Sequence, residues 1–395
     1  MAEKVEAASP QPLRNHTRRG GHVAVQLVTL VIILGLAGGA VFELVENLAR
    51  SHITSGFGFW NNTAGFDISQ TLIAYSPSTS TFGRAFWVGL LNTLIVATIG
   101  IVLATVLGFA VGIARLSHNW LVAKFAAGYV ELTRNVPLLL QLLFWYNAVL
   151  KSLPELRASV TLPGGTFLNN RGLFLARPEF APQFSIVLVV LAIGIAATVA
   201  LKSYANRRHD RTGEEVPVLV PALGLIVVLP LAAFALTGFP LSFSVPHMGR
   251  FNVSGGIEIL PEFAALVLAL SVYTAGFIAE VVRAGMLSVS HGQVEAAQAL
   301  GLRSGLTLRL IVLPQAMRVI IPPLTSQYLN LIKNSSLAVA IGYPDLVQVF
   351  AGTVLNITGQ AVEVIAITMA VYLSISLLVS LLMNLYGRTT AIAER

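Results

Sequence analysis

The stretch FWVGLLNTLIVATIGIVLATVLGFAVGI, Phe86–Ile113, carries no charged residue from end to end. A helix rises about 1.5 Å per residue, so about 20 apolar residues cross the hydrocarbon of a bilayer. This run does so with residues to spare. Outward from it, similar runs recur at Val23–Leu44, Phe125–Leu150, Phe184–Leu201, Val216–Leu236, Phe263–Val282, Gln315–Leu331 and Ala361–Leu385. The fold expected is an all-α polytopic membrane protein with about eight transmembrane helices. Two runs are irregular: Phe125–Leu150 holds Glu131 and Arg134, and Gln315–Leu331 holds Pro322 and Pro323. Helix breaks are expected at Pro137 and at Pro322-Pro323, because proline removes a backbone donor and crowds the preceding turn.

Composition agrees. Of 395 residues 55% are hydrophobic and 11% charged, where a soluble domain carries about 25% charged residues. Mean hydropathy is +0.77. The net charge of +7 comes from residues set between apolar runs rather than on one face, a pattern that reports orientation and not a nucleic-acid partner. With an even number of spans and the N-terminus inside, sixteen Lys and Arg fall in inner segments and eight in outer ones. Both termini are therefore expected in the cytoplasm. The outer loop holding Lys151, Arg157, Arg171 and Arg177 is the exception. Arg18-Arg19 before the first run, and Ala37-Gly38-Gly39-Ala40 within it, also fit a cleaved signal peptide. Apolar residues continuing through Leu44 favour a retained span. Gly35/Gly39 and Gly108/Gly112 have the spacing of close helix contacts, and equally of small residues scattered through membrane helices.

Enzymatic chemistry is not indicated. There is no cysteine, so disulfides, thiolate metal sites and cysteine nucleophiles are excluded. The seven histidines include no His-x-x-x-His pair. No phosphate-cradling P-loop occurs; Lys333-Asn334-Ser335-Ser336 follows Ile332 where glycine is required. The expectation is a non-catalytic chain with no metal and no cofactor of its own.

The segment Ser290-His291-Gly292-Gln293-Val294-Glu295-Ala296-Ala297-Gln298-Ala299-Leu300-Gly301 lies in the inner loop before Gln315–Leu331. It reads as a short helix with Ser290 and Gln293 as a capping box and Gly301 as a left-handed C-terminal cap. Ser304 then starts a second short helix that runs to Leu313, before Pro314. Local physics does not distinguish a rigid protrusion from an ordinary interfacial helix. Glu295-Ala296-Ala297, then Gly301, then Ile311, Leu313 and Pro314 at their spacing resemble the EAA loop of ABC importer permeases. That resemblance implies that these residues dock on a separate ATPase. The runs Gly89–Leu94, Arg134–Leu139, Tyr273–Arg283, Leu313–Ala316 and Lys333–Leu337 are similar to the polar-amino-acid permease branch. Ser55–Gln70 and Phe167–Gly172 are similar to one of the two permease chains of general L-amino-acid systems of Gram-negative bacteria.

The resemblance implies an inner-membrane importer subunit. Its partners would be an ATPase dimer that hydrolyses ATP with Mg²⁺, a second homologous permease in a heterodimer, a periplasmic binding protein and the lipid bilayer. It also implies a division of the chain into a tail at 1–21, an extra span and loop at 22–84 and a first core part at 85–150. Inserted loops with two extra spans follow at 151–260. A second core part spans 261–388, with the coupling loop at 290–314, and a tail covers 389–395. A secondary transporter driven by an ion gradient is the alternative, sustained by Glu131, Glu280 and Glu363.

Ionisable residues at membrane depth are costly and are either paired or functional. Glu131/Arg134 and Glu280/Arg283 are spaced to pair along a helix face. Asn92, Glu131, Arg134, Asn135, Gln327, Asn330 and Asn334 are the candidates for a substrate path. For the amides, hydrogen bonding between helices is the competing reading.

Overall fold

The computed structural model describes residues 19–50, 56–214, 217–249 and 252–390. In chain order the main helices are α1 (Arg19–Arg50), α2 (Phe82–Ala114), α3 (Trp120–Asn135), α4 (Leu138–Leu150), α5 (Phe184–Thr212) and α6 (Leu219–Leu236). They continue with α7 (Pro261–Leu287), α8 (His291–Ala299), α9 (Leu313–Asn334), α10 (Val347–Thr358) and α11 (Ala361–Thr390). Among the described residues six helices are long and apolar enough to cross a membrane: α2, α5, α6, α7, the stretch Ser304–Ile341 containing α9, and α11. The first expected span lies within α1, and the third is divided between α3 and α4.

The core forms where α2 packs on α7. Added Cβ atoms show how close these backbones come: one on Gly112 would sit 2.8 Å from the Ala279 carbonyl oxygen, and one on Gly108 3.1 Å from that of Ala275. The spacing of Gly108 and Gly112 is used for close packing, whereas a Cβ on Gly35 or Gly39 meets nothing within 4 Å. Leu266, Leu270, Ile278, Ile320 and Leu331 fill the interior behind this contact. Near the α8 end of the bundle, Glu280 accepts from both Arg283 and Arg115, the latter capping α2. The expected Glu280/Arg283 pair is present, and Arg115 makes it a tie between α2 and α7.

The breaks differ from expectation. Pro137 does divide α3 from α4, and Gln141 Nε2 donates to the Thr133 and Val136 carbonyls that the break would leave open. At Pro322 and Pro323 there is no break: α9 runs through both. Both prolines are exposed, so their rings find room, and membrane helices tolerate proline where packing holds the chain. Pro314 does not end a helix either. The π-helical turn Leu308–Val312 absorbs it, so the short helix expected to stop at Leu313 continues into α9. The true interruption comes after Asn334. There a 3₁₀ stretch, Ser335–Ile341, leads through Gly342-Tyr343-Pro344-Asp345 into α10.

That turn is tied to α2. Asn92 Nδ2 donates to the Pro344 oxygen at 2.8 Å and to the Gln70 oxygen at 2.9 Å, and Leu346 N donates to Thr93 Oγ1 at 3.0 Å. The Asp345 carboxylate, fully buried, accepts from Gln348 N and Tyr372 Oη. Asn92 Nδ2 is therefore a brace between α2 and this turn. Outside this turn, Phe59, Phe82, Phe86 and Phe350 make a cluster that seats residues 56–81 on the bundle.

At the end opposite α8 the connections form short strands. They are β1 (Val160–Leu162), β2 (Thr166–Asn169), β3 (Gly172–Leu175), β4 (Arg177–Phe180), β5 (Leu241–Ser244), β6 (His247–Met248), β7 (Val253–Ser254) and β8 (Ile257–Ile259). One antiparallel sheet has the order β1-β2-β3-β8, and β4 pairs with β5. Pro163-Gly164-Gly165 is the turn between β1 and β2. The helices α5 and α6 pack chiefly on each other, with Gly194 against the Leu225 backbone.

Candidate functional site

The α8 loop is built from its caps. The expected capping box does not form: Ser290 makes no side-chain cap bond, and its carbonyl takes the Gln293 amide at 3.0 Å, closing the first turn through the backbone instead. The C-terminal end is as expected. Gly301 has φ +76°, its N–H donates to the Gln298 oxygen at 2.9 Å, and Leu302 N–H donates to the Ala297 oxygen at 3.1 Å. Those two bonds together are a Schellman motif, which satisfies the last carbonyls and fixes the direction in which the chain leaves. Ala297 is buried against the following turn, while Ala296 and Glu295 face outward. Glu295 Oε1 lies 2.9 Å from His291 Nδ1. Ile311 and Pro314 are half-buried and Leu313 is exposed at the base. Leu300 stands 81% exposed beside Gly301. A rigid helix thus presents a carboxylate and an apolar side chain, the usual makings of a protein contact.

A cavity of about 340 Å³ lies between α7 and α9, lined by Tyr273, Thr274, Phe277, Gln327, Asn330 and Asn334. Tyr273, Thr274 and Phe277 fall near the middle of the 27-residue α7. Asn334 is the last residue of α9 before the 3₁₀ stretch, so the cavity sits beside the interrupted helix. Among the described residues the side chains of Gln327, Asn330 and Asn334 have no hydrogen-bond partner in this chain. An amide carries two donors and an acceptor, and three unpartnered amides on one cavity can meet a carboxylate and an ammonium together.

The structure brings Gln327, Asn330 and Asn334 together, and Arg134, outside the lining, touches one of the lining residues, Phe277. The Arg134 guanidinium lies 5.3 Å from the centre of the Phe277 ring, a cation–π contact. Glu131 and Asn135 are exposed and bonded to each other at 3.2 Å, away from the cavity lining. No Glu131–Arg134 ion pair occurs among the described residues, because Arg134 turns to Phe277 instead. Sequence reasoning missed Tyr273, Thr274 and Phe277. Their spacing along one helical face, directly before Glu280, was the available signal.

Residues 215–390 match the family of binding-protein-dependent transport system inner membrane components. The general L-amino acid transport system permease protein AapQ of Rhizobium johnstonii is 52% identical over 94% of this chain and 92% of its own length. The putative amino-acid ABC transporter permease protein YhdX of Escherichia coli is 51% identical, over 94% of each chain. The glutamate/glutamine/aspartate/asparagine transport system permease protein BztB of Rhodobacter capsulatus is 39% identical, over 94% of each chain. With about half the residues shared over 94% of its length, the chain belongs to the family of binding-protein-dependent transport system inner membrane components.

Proposed function

We propose that this chain is the membrane-spanning permease subunit of an ATP-driven importer of L-amino acids, in which α8 and Gly301 receive the stroke of a separate ATPase. The cavity between α7 and α9 takes the amino acid on its way through. The observation that carries this reading is the set of three amides, Gln327, Asn330 and Asn334, facing one cavity without partners. An α-amino acid presents a carboxylate and an ammonium whatever its side chain, and amide N–H and C=O groups answer both. Arg134, held over Phe277, adds a positive charge beside the cavity for the carboxylate.

The energy comes from ATP and Mg²⁺ on an ATPase dimer, and a periplasmic binding protein delivers the substrate. A second, homologous permease completes the pathway as a heterodimer in the inner membrane. Both termini and α8 face the cytoplasm, as the distribution of Lys and Arg supports. The ion-gradient alternative finds little footing among the carboxylates: Glu280 is engaged by two arginines, Glu131 lies outside the cavity, and Glu363, also outside it, accepts the Gly56 N–H.

The test is uptake into proteoliposomes holding the assembled importer. Uptake should follow enclosed ATP and ignore an imposed proton or sodium gradient. Gln327→Ala and Asn330→Ala should each lower uptake about tenfold, the scale of one hydrogen bond to a charged group, with the ATPase still bound. Wild-type uptake of every amino acid by both variants would refute the cavity, and gradient-driven uptake would refute the importer.

A further inference from the structure

A second cavity, of about 530 Å³, lies among the strands at the end opposite α8, and its walls include Glu155, Leu156, Arg157, Asn170, Arg171 and Met248. It is apart from the cavity between α7 and α9 and shares no residue with it. Its charges are poised. Among the described residues Arg157 and Glu155 form no ion pair with each other or with any other group, although they are near neighbours on the rim. Arg171 spends one N–H on a neutral acceptor, Asn252 Oδ1 at 2.5 Å. The carboxylate of Glu258 acts on Arg171 through space without bridging it, and burial pushes the Glu258 carboxyl up while Arg171 pulls it down.

The backbone that carries the two arginines is also held in place. Asn169, fully buried at the end of β2, donates from Nδ2 to Ser159 Oγ at 2.9 Å and accepts the backbone N–H of Arg171 at Oδ1, 2.8 Å. Asn170 N donates to the Pro154 oxygen at 2.9 Å. Pro154 and Ser159 bracket the short 3₁₀ turn Leu156–Ala158 that carries Arg157. One buried amide and one backbone bond therefore fix the Arg157 turn against the Arg171 tip before any ligand arrives. The guanidinium groups that this backbone carries are exposed, and two of them within reach of one cavity can grip a carboxylate.

We infer that this cavity is a second amino-acid-binding site, outside the membrane path. Arg157 and Arg171 take the α-carboxylate, Glu155 takes the ammonium, and Leu156 and Met248 flank the side chain. Charges of both signs in one concavity match a zwitterion better than an acidic side chain of a docking protein, which would leave Glu155 repelled. The inference rests on the proposed function only in that amino acids reach this end of the molecule.

The experiment is saturation-transfer NMR on the full permease–ATPase complex in nanodiscs, without binding protein. L-leucine is the probe, and isocaproate and isoamylamine serve as controls lacking the ammonium or the carboxylate. Leucine should bind, and each control should bind about tenfold more weakly. Arg157→Gln with Arg171→Gln should remove the part of the signal that belongs to this cavity, Glu155→Gln should reduce that part, and Gln327→Ala should leave it intact. Asn169→Ala should weaken leucine binding with both arginines present, as expected of a positioning residue. A leucine signal indifferent to Arg157, Arg171 and Glu155 overturns the inference. So does a double variant that keeps leucine binding and loses only association with the binding protein, for the cavity would then be a protein socket. An importer that carries amino acids but lacks this signal refutes the second site alone. A chain that binds leucine here and imports no amino acid refutes the function alone.

Discussion

At Gly301 the backbone holds φ +76°, while the space a Cβ would occupy is empty to 4 Å. Substitution there costs conformation and not packing, about 1–2 kcal/mol for an L side chain. That sum is too small to unfold a bundle of this size but enough to redirect a loop whose exit the Schellman bonds set. Gly301→Asp should therefore insert at normal levels and co-purify less ATPase, with binding-protein-stimulated hydrolysis reduced in step. Glu295→Lys should act alike through charge at the contact. Full association and full stimulation in both variants would show that α8 is not the coupling element. Gly301 was legible in the sequence because a helix ending at a glycine has few alternatives. The bracing contacts of Asn92 were not legible, for the opposite reason: an amide inside an apolar run announces that it has a partner but not which one. Here the partner is the Pro344 carbonyl, far away in sequence.

Helices were legible wherever hydrophobicity ran unbroken, as in α2, α5, α7 and α11, and the break before α4 was legible from Pro137. The interruption after Asn334 was not. The residues Ser335–Ile341 are mostly apolar and resemble any helix, and what stops them is the tether of Pro344 and Leu346 to α2. The strands were hidden too, since each is only a few residues long and β3 pairs with β8 across the whole inserted hairpin. Because α9 passes straight through Pro322 and Pro323, these residues do not hinge it. Pro322→Ala and Pro323→Ala restore backbone donors on an exposed face. Both should leave uptake unchanged and keep or raise the unfolding temperature in detergent. A loss of transport with normal assembly would mean that the prolines bend α9 during the cycle.

For the molecule as a whole, the proposed orientation can be read directly, since the chain has no cysteine to remove. Single cysteines at Thr63, Thr166 and Ser254 should react with an impermeant reagent added outside the cell, and those at Ser203 and Ser304 should not. Labelling of Ser304 from outside would invert the orientation and take the α8 loop away from any ATPase.

The hairpin of α5 and α6 enters the molecule through β4 and leaves it through β5, with Phe180 directly opposite Leu241. Its two connections to the remainder are thus already neighbours, as the stem of a cassette is. An antiparallel pair also crosses the bilayer twice, so excising it alters neither the parity nor the sidedness of the helices from α7 onward. Replacing residues 181–240 by Asn-Gly should close β4 and β5 as an ordinary two-residue hairpin. The shortened chain is expected to insert, to keep the reactivity pattern at Thr63 and Ser304, and to retain its ATPase. Whatever it then fails to do is the task of this hairpin.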